Sequence, residues 1–256
     1  MAPGRLVCHV LLVEAPQGLI LVDTGFGTRD VRNRAAMDRQ FRALTSPRLD
    51  EGETALSQVR ALGFDPADVR HIVLTHLDID HGGGLPDFPH AQVHLWEREL
   101  QTMQNPPRRE RRRYRISEAH WAHGPRWTTH GFGGDEWFGF ESARVLPDSA
   151  AEILLIPLPG HTLGHTGVAV PRRDGWLLHC GDAYFFWGDV ETPRRCPPGL
   201  RAFQSLVQAD AKLRLQNRER LRELGRGHST EVTLLCSHDP VEFDRSRDQA
   251  RFERRG

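Results

Sequence analysis

The sequence predicts a layered α/β fold, and three observations carry that prediction. Short apolar runs of four to eight residues recur, each bounded by Gly, Pro or polar residues. Helical patterns lie between them, which implies strands and helices packed in layers. Four of the runs end in His or Asp, where α/β folds place their sites. The runs are 6–13, 19–22, 71–74, 92–95, 153–158, 167–170, 176–178 and 232–236, with a turn at Ala15 to Gly18 between the first two. One helix is expected over 54–62, with Ala55, Leu56, Val59 and Leu62 on one face and Gly63 as its C-cap. A second is expected over 202–224, from Phe203, Leu206, Val207, Leu213, Leu221 and Leu224.

The remaining features set the class. The chain has 256 residues, read as one domain, 1–256, with an insertion or lid at about 97–147. That insertion carries Pro106-Pro107, an arginine run from Arg108 to Arg115, and then Trp121, Trp127, Phe132, Trp137, Phe138 and Phe140 among glycines. Basic and acidic residues number 34 each, so the net charge is zero and no nucleic-acid partner is expected. Lys212 is the only lysine. No run reaches the roughly 20 apolar residues of a membrane span, and the N-terminus lacks the basic start of a secretory signal. Cys8, Cys180, Cys196 and Cys236 are scattered, which reads as reduced thiols in a cytoplasmic protein.

The chemistry lies at the strand ends. VLTH finishes at His76, LLIPLPGH at His161, WLLHCGD at Asp182, and TLLCSHD at His238 and Asp239. Asp78, Asp80 and His81 follow His76 at once, in THLDIDHGGG. Positions 76, 78 and 80 are too closely alternating for one helix face and suit a tight turn around an ion, with Gly82, Gly83 and Gly84 letting the backbone turn. Two imidazoles and two carboxylates within six residues exceed what one tetrahedral zinc accepts. With His161, Asp182 and His238 the candidates number seven, which fits two metals sharing a carboxylate and a water.

These motifs resemble the metallo-β-lactamase superfamily along nearly the whole chain. LVDTG at 21–25, THLDIDHGG, LPGHTLGHTG at 158–167, GDA at 181–183 and SHD at 237–239 occur in the family's order. The resemblance implies an αββα sandwich with a dinuclear centre, zinc in most members. His76, His161 and Asp182 would hold one metal, and Asp80, His81, Asp182 and His238 the other. Asp78 departs from the family's usual histidine. Either it ligates through oxygen, or it tilts the site toward iron or manganese, or it is too short to reach. In this it is similar to flavodiiron proteins.

Length and lid resemble the N-acyl-homoserine lactone lactonases. Those have a tyrosine three residues after the bridging aspartate; here that position is Phe185, and Tyr184 is one step earlier, on the opposite face of a strand. The expected function is hydrolysis of a lactone or ester of a small acyl substrate by a metal-bridging hydroxide. Asp80 would shuttle the proton, and Tyr184 would help stabilise the oxyanion. The alternatives are a glyoxalase-type thioesterase, a non-haem iron redox enzyme favoured by Asp78, and a non-catalytic binding module. Asp23 and His165 are expected to orient ligands or to serve the structure alone. The aromatic stretch 121–140 is expected to form an acyl-binding wall, a homodimer surface or simple lid packing.

Overall fold

The apolar run nearest the N-terminus folds into a hairpin because a glycine allows the turn. The computed structural model describes residues 4–107, 116–133, 135–146 and 152–253. Strand β1 (Leu11–Ala15) pairs antiparallel with β2 (Gly18–Val22). Gly18 has φ +124°, and a Cβ there would lie 2.6 Å from Arg70 Cγ and 2.9 Å from the Asp68 carbonyl. Helices α1 (Thr28–Arg32), α2 (Arg39–Thr45) and α3 (Ala55–Ala61) follow. Thr54 caps α3 by accepting from Ser57 N. Then come β3 (Val69–Val73), α4 (Ile79–Gly82), β4 (Gln92–Trp96), α5 (Glu97–Gln104), α6 (Glu118–Trp121) and β5 (Arg126–His130).

These elements form the first of two compact units, residues 10–131 with 145–151. Its sheet runs β1-β2-β3-β4-β5, parallel from β2 onward. Parallel strands are covered on both faces, which is why 19–22 and 71–74 read as unbroken apolar runs. Leu21, Ile72, Leu74, Leu77, Leu85 and Leu95 are buried in its core.

The second unit holds residues 1–9, 132–144 and 152–256. Its elements are β6 (Asp135–Trp137), β7 (Phe140–Arg144), β8 (Leu154–Pro157), β9 (Thr166–Arg172), β10 (Gly175–His179), α7 (Pro198–Leu206), α8 (Ala211–Gly227), β11 (Val232–Leu235) and α9 (Pro240–Glu253). The sheet order is β11-β10-β9-β8-β7-β6, with β10 and β11 parallel and the other pairs antiparallel. The helical pattern over 202–224 is two helices. Asp210 accepts from Leu213 N and caps α8, so α7 ends before it, and Leu206 lies exposed.

The segment 97–147, expected to be an insertion, supplies α5, α6 and β5 to the first unit and the edge strands β6 and β7 to the second. Five of its aromatics pack on or in the two cores. Trp121 and Trp127 pack on the first core, and Trp137 and Phe140 are buried in the second. The run Arg108 to Arg115 lies outside the described residues. No described helix is long and apolar enough to cross a membrane.

The second core also holds an acid. Tyr184 is fully buried and its hydroxyl donates to Glu242 Oε1 at 3.0 Å, while Cys236 N donates to Oε2 at 2.7 Å. Burial pushes the Glu242 carboxyl up to about 7. The folded chain therefore holds this proton over a range, from its ordinary 4.5 to about 7, where the unfolded chain has released it. Stability should fall as pH rises through that window. Urea unfolding from pH 5 to 8 should show this fall in the wild type. Glu242→Gln should flatten it by on the order of 3 kcal/mol; parallel pH profiles would contradict the assignment.

Candidate metal centre

In the first unit, strand register builds the cluster. β2 and β3 run parallel with Val22 opposite Val73, so the chain leaving both strands stays adjacent, and Asp23 N donates to Val73 O at 3.0 Å. Asp23 has φ +59°, a left-handed conformation uncommon outside glycine. Its carboxylate accepts from Thr75 N (2.8 Å), Thr75 Oγ1 (2.8 Å) and His81 Nδ1 (2.9 Å). Thr75 Oγ1 thus donates its hydrogen bond to Asp23 and accepts one from His76 Nδ1 at 3.0 Å. Both rings carry their proton on Nδ1, which places the lone pair on Nε2.

Each Nε2 is next to a carboxylate: His76 Nε2 lies 3.6 Å from Asp78 Oδ2, and His81 Nε2 lies 3.9 Å from Asp80 Oδ1. The two ring centroids are 3.9 Å apart. Asp78 is the extended N-cap residue of α4 and Asp80 sits in its first turn. All four side chains are buried save Asp80, which is 17% exposed. Glu99, fully buried on α5, accepts from Leu77 N at 2.9 Å and fixes the chain between the two ligand pairs.

The glycines after His81 act through close approach and not through a special turn. Gly83 is helical at φ −61°. A Cβ on it would meet the Ile79 carbonyl, with Asp30 Oδ2 at 2.5 Å, and one on Gly84 would lie 2.8 Å from the Thr24 carbonyl. Thr24 N and Oγ1 donate to His81 O at 2.7 and 2.8 Å, so that contact locks the His81 backbone.

In the second unit, β10 and β11 repeat the device. His179 pairs with Leu235, and Asp182 and His238 each follow their paired position by three residues. Cys180 N donates to Leu235 O at 2.7 Å and Ser237 N to Gly181 O at 3.1 Å, carrying the pairing past the strands. Asp182 stands between two imidazoles: Oδ1 is 3.0 Å from His238 Nε2, and Oδ2 is 3.3 Å from His161 Nε2. His238 Nδ1 donates to Val7 O at 2.7 Å, so its lone pair is also on Nε2. His165 Nδ1 donates to Leu158 O (2.9 Å) while its Nε2 accepts from Asp182 N (2.9 Å). His165 therefore holds the Asp182 backbone, and the orienting role expected of it and of Asp23 is the one their contacts describe.

Tyr184 is a correction. The structure seats its fully buried hydroxyl on Glu242 in the core. Phe185, the next residue of this irregular segment, takes the side facing the cluster, with its ring 4.7 Å from His238 and 5.9 Å from His161. His120 is buried with its Nε2 2.8 Å from Asp30 Oδ1. Thr75, Glu99 and the Val7 carbonyl were missed. Thr75 precedes the first ligand and could have been found as its hydrogen-bond partner; the other two leave no local signal.

The structure thus brings His76, Asp78, Asp80 and His81 together in one unit, and His161, Asp182 and His238 in the other. A profile of the metallo-beta-lactamase superfamily matches residues 3–227. A probable metallo-hydrolase of Mycobacterium tuberculosis is 43% identical over 246 residues, covering 96% of this chain and 78% of that one. An N-acyl homoserine lactonase AttM of Rhizobium johnstonii is 31% identical over 210 residues, 76% of this chain and 67% of its own. Among solved structures, an N-acyl homoserine lactone hydrolase with N-hexanoyl-L-homoserine at its catalytic metal center matches with TM-score 0.69. It is 21% identical, covering 95% of this chain and 87% of that one. The chain belongs to the metallo-β-lactamase superfamily and is a metallohydrolase of that α/β fold.

Proposed function

We propose that the seven residues hold two divalent ions, zinc first among them, and that the enzyme opens a lactone or ester of an acyl substrate. His76, Asp78, His161 and Asp182 would hold one ion, and Asp80, His81, Asp182 and His238 the other. The donor set fits. Neighbouring donors on a tetrahedral zinc lie roughly 3.3 Å apart, and the carboxylate–imidazole separations at Asp182 are 3.0 and 3.3 Å. The observation that carries the reading is the commitment of Nδ1 on His76, His81 and His238 to oxygen acceptors, which points Nε2 of each toward a carboxylate.

Bound ions supply an activated water at neutral pH and polarise the carbonyl under attack. The chain does the rest. Asp80, the most exposed carboxylate of the set, takes the proton of the attacking water on a carboxylate oxygen and passes it to the leaving oxygen. Asp23 and Thr75 keep the histidine rings from turning. Phe185 covers His161 and His238 with an apolar face that excludes water and suits an acyl chain. This replaces the apolar lid as the support for an acyl substrate. The relatives named as lactonases support the lactone over the thioester.

Asp78 favours one second reading. Its added oxygen donor and negative charge would suit iron or manganese in the first site, and iron there would open redox chemistry.

A panel of acyl-homoserine lactones, aryl esters and thioesters assayed with zinc, manganese and iron tests the proposal. Lactone or ester turnover that chelation abolishes is expected; oxygen-dependent turnover with iron alone would replace it with the redox reading. Tyr184→Phe should keep kcat/KM within about twofold, whereas loss of an oxyanion donor costs about 10²–10³ in kcat. Asp23→Ala should weaken metal binding by about 10–100-fold in a chelator competition, the usual effect of removing a ligand's hydrogen-bond partner. An unchanged affinity would mean that Asp23 serves the fold alone.

A further inference from the structure

Helix α7 has two neighbours of different character. Phe203 meets Phe185 with ring centroids 5.8 Å apart. The next residue, Gln204, is buried and turns to a charged cluster. Its Nε2 donates to Asp189 Oδ2 at 2.8 Å and its Oε1 accepts from Arg214 Nη1 at 3.2 Å. Arg194 donates to Asp189 Oδ1 through Nε (2.9 Å) and Nη2 (2.7 Å). Arg214 Nε donates to Gln208 Oε1 at 2.7 Å. Arg218 Nη1 is buried 3.8 Å from Asp189 Oδ1 and makes no hydrogen bond among the described residues.

Three guanidiniums therefore surround one carboxylate, and among the described residues they carry two more positive charges than Asp189 balances. Glu219, which also acts on Arg218 electrostatically, is engaged by Arg222. Burial pushes the Cys196 thiol up to about 11, so it adds no negative charge. Burial and the neighbouring guanidiniums hold Arg214 and Arg218 below the usual arginine range. Excess buried charge of this kind is costly unless an ion of opposite sign joins it. Guanidinium forks match the oxygens of a phosphate or sulfate group and form charge-assisted hydrogen bonds to them. Arg194 is 28% exposed and Arg218 11%, so the cluster opens to solvent on the Arg194 side.

We infer that Arg194, Arg214 and Arg218 form an anion site for a doubly charged tetrahedral oxyanion of the phosphate or sulfate type. The ligand is either a free ion or the phosphoryl group of a small molecule. Phe203, whose ring meets that of Phe185, precedes Gln204 in α7, and the site does not depend on the lactone reading. Gln204 and Asp189 position the arginines, and Arg194, the most exposed of the three, is the guanidinium that meets the ligand first.

Titration calorimetry with inorganic phosphate, and separately with an alkyl phosphate monoester, tests this on the full chain. Wild type and Asp182→Ala, which leaves the arginines in place, should bind alike. Arg218→Gln and Arg194→Gln should each bind at least about tenfold more weakly, as expected for loss of one charge-assisted hydrogen bond. Tighter binding of the monoester would mark a substrate group, and equal or weaker binding a free ion. Arg194 is the more exposed of the two, so its variant carries the test if Arg218→Gln does not fold. Equal phosphate affinity in wild type and both arginine variants would overturn the site. So would loss of binding in Asp182→Ala alone, which would assign the anion to the histidine cluster.

Discussion

The hydrogen bonds made by Asp23 are the constraint on which the first ligand cluster depends. One carboxylate, held in a left-handed backbone conformation, accepts from the Thr75 amide, the Thr75 hydroxyl and the His81 ring. Those three bonds decide which nitrogen of His81 carries the proton and, through Thr75, which nitrogen of His76 does. Without them the imidazoles could rotate, or carry their proton on the nitrogen that a metal needs. An uncommon backbone conformation is tolerated at such a position because it sets the chemistry next to it. The second unit reaches the same end differently. A backbone carbonyl, that of Val7, fixes His238, and the His165 ring holds the Asp182 amide.

Strand register supplies the other half of the explanation. Parallel pairs put equivalent residues side by side, so donors that follow their strands at matching offsets arrive together without any long-range recognition. Asp182 and His238, each three residues past a paired position, are the instance; Asp23 and Thr75, one and two residues past Val22 and Val73, meet because their strands are adjacent. This is why the site was legible in the sequence. An apolar run predicts a strand, and a His or Asp just past its end predicts a site. Each of the eight apolar runs carries a strand, and all seven proposed donors lie in one of the two clusters.

What was illegible has physical causes too. β5, β6 and β7 are edge or near-edge strands with residues such as RWTTH and DEW, whose polar content hides the strand period. The break between α7 and α8 depends on one cap, Asp210, inside a pattern whose apolar spacing runs on through it. The aromatics of 121–140 left an acyl-binding wall, a homodimer surface and lid packing open, because sequence cannot say which face a Trp among glycines will take; Trp137 and Phe140 are buried. Tyr184 was within one residue of the position the family resemblance implied, but the segment after β10 is irregular and not a strand, so a period-two reading does not apply there. Phe185 takes the facing position, and Tyr184 instead donates to the buried Glu242 carboxyl.

The central claim is that these side chains are arranged to hold two divalent ions. Elemental analysis of the purified full chain, after equilibration with zinc and removal of excess metal, tests it most directly. The account predicts two ions per chain, with loss of both in Asp182→Ala, since that carboxylate would serve each ion. Fewer than one ion per chain in the wild type, or an Asp182→Ala variant that still holds two, would contradict it.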